Sequence, residues 1–159
     1  MFGAMMFVSK LLLEGLPNFH IIGMFTVSLT IVYRYKALVP VYVFVFLTGL
    51  YNGFALWWYP YLYIWAVLWG AAMLVPRGMQ RNKARIVYLL VCALHGLLYG
   101  TLYAPFQAIA FNYSFTQTIA WIGAGLPWDA VHCAGNAAVG CLILPLSELI
   151  EKLKRTYEK

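Results

Sequence analysis

Asp129, His132 and Asn136 follow one another at i, i+3 and i+7, a spacing that puts all three on one face of a helix. A carboxylate, an imidazole and an amide on an otherwise apolar face can hydrogen-bond a small molecule or pass a proton. A second set, His95, Tyr99 and Tyr103, runs at i, i+4 and i+8 and is read as another single face. Aromatic rings crowd a third stretch, with Trp57, Trp58, Tyr59, Tyr61, Tyr63, Trp65 and Trp69 in one short segment. Trp65 and Trp69 lie deeper than a headgroup-level belt requires, so some of these rings are expected to face inward. Lys10 and Glu14 stand at i, i+4, with Glu14 placed to meet a cationic or hydrogen-bonding ligand group. The combined chemistry is aromatic stacking plus a few aimed hydrogen bonds, which holds a flat heterocycle. Plain structural roles compete with it. Asp129 also reads as a first-turn helix stabiliser, Asn136 as an interhelical hydrogen bond and His132 as a satisfied core imidazole. Lys10 and Glu14 also read as an ion pair.

No enzyme signature accompanies these residues. The chain has no phosphate-binding GxxxxGK[ST] loop, no G-x-S-x-G and no H-E-x-x-H. It is therefore expected to have no ATPase or other catalytic activity of its own, and no cofactor. His95, His132 and Asp129 have no diagnostic metal spacing. Cys92, Cys133 and Cys141 match no zinc or redox pattern and read as small buried apolar residues.

The elements that must position these groups are membrane helices. The 159 residues are 64% hydrophobic and 10% charged, against about 25% charged in an ordinary soluble domain. The net charge of +6 is not a nucleic-acid signal. Ten of the eleven Lys and Arg fall in three clusters: Arg34 and Lys36; Arg77, Arg81, Lys83 and Arg85; Lys152, Lys154, Arg155 and Lys159. Lys10 stands alone. The turns around 14–20, 52–60 and 104–126 carry no Lys or Arg. The positive-inside rule then predicts an even number of crossings with both termini cytoplasmic. The fold class expected is an all-α integral membrane protein of six transmembrane helices, a single domain over 1–159. The spans are expected at 1–13, 19–33, 37–51, 61–75, 86–103 and 127–150. The first is short for a crossing, which takes about 20 residues. Lys10 and Glu14 interrupt what would be a signal-peptide core, so the first span is expected to be retained. Leu16, Pro17 and Asn18 are read as the first outer turn, and 106–125 as a partly helical outer loop. An amphipathic charged tail is expected over 148–159.

Three segments carry a family resemblance: residues 125–140 (GLPWDAVHCAGNAAVG) with 142–146 (LILPL), residues 8–17 (VSKLLLEGLP) and residues 95–105 (HGLLYGTLYAP). With the size and the six expected spans, the chain resembles the substrate-binding S components of energy-coupling factor (ECF) transporters over nearly its full length. The resemblance implies a bacterial or archaeal plasma-membrane subunit that captures a micronutrient near the outer surface. It implies docking on a transmembrane coupling subunit with two cytoplasmic ATPases, and delivery of the ligand inward by toppling in the bilayer. Family pockets draw on the outer halves of helices four, five and six, which here implicates His95, Tyr103 and Asn136 first. Asp129, His132, Tyr99, Trp58, Tyr61, Trp65 and Glu14 follow. The family's coupling contact uses small residues on the first helix. Here Gly3, Ala4 and Ser9 are the small ones, and Phe7 and Val8 interrupt the pattern. The expected ligand is a flat vitamin, modified base or aromatic compound. A strongly anionic one is disfavoured, because Lys10 is the only cation outside the three clusters. The alternatives are a small membrane enzyme using His95, His132 and Asp129, and a non-transporting membrane scaffold.

Overall fold

The computed structural model describes residues 1–16 and 18–157. Pro17 of the expected first turn and Lys159 of the third basic cluster lie outside the described residues. Among the described residues the chain is helical, with no strand. The helices are α1 (Phe2–Leu12), α2 (Ile22–Tyr33), α3 (Leu38–Asn52), α4 (Tyr61–Leu74), α5 (Arg81–Leu97), α6 (Tyr99–Phe111), α7 (Phe115–Gly140) and α8 (Ile143–Tyr157). Short 3₁₀ turns cover Arg34–Ala37 and Leu56–Trp58.

By length and composition, two helical runs suffice to cross a membrane: Ile22–Asn52 and Arg81–Phe111. A third is added if α7 and α8, bent by 51°, count as one crossing. That is fewer than the six expected. The physical reason is length: α1 and α4 have 11 and 14 residues, short of the roughly 20 of a full crossing, and α2 and α3, with 12 and 15, reach it only as one joined run.

The second half departs from expectation in its boundaries. Residues 106–125 were expected to be a partly helical loop, but α6 runs on to Phe111 and α7 starts at Phe115. Asn112 takes the left-handed conformation that ends α6 (φ 53°). Ser114 then opens α7 with a capping box: its hydroxyl accepts from the Gln117 N–H while the Gln117 side chain accepts from the Ser114 N–H. This S-x-x-Q signal was present in the sequence. Pro127, where the last span was expected to begin, lies inside α7, and Pro105 lies inside α6. The Tyr63 hydroxyl donates to the Leu102 carbonyl of α6 at 2.8 Å, tying α4 to α6. The expected last span is interrupted instead at Cys141 and Leu142. Pro145 cannot donate to the Cys141 carbonyl, and α8 restarts with this proline in its first turn.

α2 is the central helix, buried continuously from Ile22 to Thr30. It packs against α4 and α8 and touches α1, α5 and α7. α5 lies along α7, and α1 lies along α3. Close approach has a visible cause in Gly3, where a Cβ would stand 2.6 Å from Val43.

The basic clusters meet at one end. Arg34 donates to the Met73 carbonyl, and Trp69 donates to the Arg34 carbonyl. Lys154 lies 5.7 Å over the Tyr33 ring, and Arg81 pairs with Glu148 at 2.9 Å. The α1–α2 connection, the start of α4 and the middle of α7 meet elsewhere, at an end rich in aromatic rings.

Candidate functional site

Trp65 is the hub of the aromatic end. It is the largest fully buried side chain among the described residues. Its ring lies 5.5 Å from His20, 5.7 Å from His95, 5.8 Å from Phe44, 6.0 Å from Tyr61 and 6.1 Å from Tyr99. His132 completes the group, 4.7 Å from both His20 and Tyr99. All three histidines of the chain therefore converge here. His20 and His132 share a hydrogen bond between their Nε2 atoms at 2.8 Å. One of them must donate and the other accept, so at least one imidazole is neutral. His95 Nε2 lies 3.1 Å from the Ile64 carbonyl.

A cavity of about 220 Å³ opens against this cluster. Its wall includes His20, Tyr61, Tyr99 and His132, and Lys10, Glu14 and Asn18 sit at its rim. Lys10 and Glu14 do not form the alternative ion pair, since no such contact within 4.0 Å exists among the described residues. Both charges are left facing the cavity. A wider groove of about 490 Å³ adjoins it, lined by Tyr103, Trp121, Trp128 and Asp129 on its far side. A larger groove, about 870 Å³, lies at the basic end between α2 and α8. It has no aromatic lining and stands apart from the histidine cluster.

Four side-chain polar atoms among the described residues are buried without a hydrogen-bond partner. Three belong to this cluster: His20 Nδ1, Trp65 Nε1 and His95 Nδ1. Each such atom costs about 1–3 kcal/mol when left unpaired. A native fold tolerates few of them, so three in one place call for a partner that the packed side chains do not supply.

Other residues expected at the site are occupied by helix packing. Asn136 donates from Nδ2 to the Cys92 carbonyl at 3.0 Å, clamping α7 to α5. Asp129 does not stabilise the start of its own helix, which begins fourteen residues earlier at Phe115. Its two carboxylate oxygens accept the Gly100 N–H at 3.0 and 3.1 Å, so it caps the start of α6 from across the interface. Asp129→Ala is expected to lower stability by about 1–3 kcal/mol, and Asp129→Asn by less, as read from melting of the detergent-solubilised protein. Equal melting of wild type and Asp129→Ala would refute the capping role.

The Tyr103 hydroxyl donates to the Trp57 carbonyl at 2.8 Å, and its ring stacks on Trp121. Trp58 turns away altogether: its Nε1 donates to the Val45 carbonyl and its ring meets Phe54. Gly3 is buried against α3, and the Ser9 hydroxyl donates to the Met6 carbonyl. Of the small residues on α1, only Ala4 is freely exposed.

His20 is the residue that sequence reasoning missed. It was read as part of the second span, but α2 begins at Ile22 and His20 lies on the connection. The available signal was rarity, because a histidine is unusual among so many apolar residues. Comparison with known protein families, with curated proteins and with solved structures finds no match.

Proposed function

We propose that this protein is the substrate-binding subunit of an ECF-type importer, capturing a small, largely neutral heterocycle or aromatic compound. In this reading the chain lies in a bacterial or archaeal plasma membrane as six segments, with both termini and the gathered basic clusters on the cytoplasmic side. The short helices of the first half are then shielded by their neighbours rather than each spanning alone. The α1–α2 connection covers the ligand at the outer face. A membrane coupling subunit and two ATPases receive it inside.

One observation carries the reading: a cavity walled by Tyr61, Tyr99 and two imidazoles, backed by three buried polar atoms that have no partner. A pure scaffold would pair such atoms within the protein. At about 220 Å³ the cavity is smaller than the roughly 300–1,000 Å³ of drug-sized sites, so the occupant is small. Lys10 is the one cation at the rim, and Glu14 beside it disfavours a strongly anionic ligand.

Native mass spectrometry of the gently released protein tests this. We expect a co-purifying molecule of low mass, lost in His20→Ala, a variant on a connection rather than in a helix. A ligand-free protein that also shows no thermal shift with vitamins, nucleobases or amino acids would overturn the reading.

A further inference from the structure

We infer that the head group bound at this site carries a hydrogen-bond acceptor and a hydrogen-bond donor side by side, as in a primary amide, a lactam or an amino-substituted nitrogen heterocycle. The inference rests on the binding reading above and narrows it. It follows from the polarity of the unpartnered atoms.

Trp65 Nε1 carries a proton and can only donate. His95 is the opposite case. Its Nε2 faces the Ile64 carbonyl, which only accepts, so that nitrogen holds the ring proton. In the neutral imidazole Nδ1 is then a bare acceptor, buried with nothing to accept from. The two ring centroids stand 5.7 Å apart, and in this proposal one small head group serves both. A carboxylate or phosphate satisfies Trp65 and leaves His95 Nδ1 empty. An ammonium satisfies His95 and leaves the indole N–H empty. A group with both functions satisfies both. His20 Nδ1 takes either role, according to which partner donates in its bond to His132.

Trp65 and His95 stand one layer behind the cavity wall. His20, Tyr61 and Tyr99 line the cavity and also touch Trp65. A head group reaches the pair when the His20 ring turns aside. That ring sits on a connection, with one hydrogen bond, to His132, holding it.

Three probes with one ring and different head groups test the polarity: benzamide, benzoate and benzylamine, each titrated against the full-length, detergent-purified protein by thermal shift and calorimetry. Benzamide is expected to bind at least about tenfold more tightly than the other two, the ratio set by one buried unpaired group. In Trp65→Phe the indole N–H is gone, so the preference for benzamide over benzylamine should shrink by about tenfold. Equal binding of the three probes, preference for benzoate, or a Trp65→Phe variant that weakens both equally would overturn the inference. So would binding of none of the three, since a buried water then satisfies the pair. A co-purified ligand with an acceptor-only head group would overturn it and leave the importer reading intact. Absence of any small-molecule ligand would remove both.

Discussion

Gly96→Ala is expected to destabilise the protein by about 1–3 kcal/mol, although alanine is ordinarily the better helix former by roughly 0.5–1 kcal/mol. The sign inverts because of what faces the glycine. A Cβ there would stand 2.8 Å from Asn136 Nδ2 and 2.9 Å from the carbonyl carbon and oxygen of His132. The amide could shift only by giving up its bond to the Cys92 carbonyl. The backbone of α7 could shift only by opening the interface along which α5 and α7 pack. Gly123→Ala in α7 is the matched control, since nothing lies within 4 Å of a Cβ at that position. Melting of both variants in one detergent checks the pair. A Gly96→Ala protein as stable as Gly123→Ala would mean that the two helices do not approach this closely.

Trp65→Ala should cost more, about 3–5 kcal/mol, as for other large buried aromatic side chains. Five rings lean on Trp65, contributed by α2's preceding connection, α3, α4, α5 and α6. The cavity left behind would touch nearly every element of the aromatic end. Trp128→Ala removes the same side chain from a position 58% exposed, and is expected to change stability by about 0.5 kcal/mol or less. Chemical or thermal unfolding of the two variants decides it, and similar losses would contradict the placement of Trp65 as hub. Because the hub stands directly behind the wall of the candidate site, large truncations there would alter the site and the fold together. Only a conservative change such as Trp65→Phe separates them.

Much of the helical plan was legible. The apolar segments between the basic clusters are helices, and α4 begins directly after Pro60, as its composition suggested. The polar stripe on α7 was also read correctly as a face: Asp129, His132 and Asn136 are all buried. Its partner was not legible. The stripe lies against Gly96 and Gly100, whose missing side chains let α7 come close enough for Asp129 and Asn136 to bond backbone groups of α5 and α6. The other stripe was over-read. The helix breaks at Leu98, so His95 lies in the last turn of α5 while Tyr99 and Tyr103 belong to α6. His95 and Tyr99 reach Trp65, while Tyr103 turns to Trp57 and Trp121.

The amino-acid sequence alone determined composition-level properties: helices of apolar residues, ten of the eleven cations gathered in three clusters, and the three histidines kept away from those clusters. These follow from local periodicity and charge placement, which are written along the chain. Only the tertiary structure decided which polar groups are spent on packing and which are left over. His20 and His132 are 112 residues apart and meet at 2.8 Å. Trp65, His95 and His20 come from α4, α5 and a connection, and their rings meet because the helices around α2 bring them there. Pairing of this kind is a property of distances between distant segments, and no local pattern encodes it.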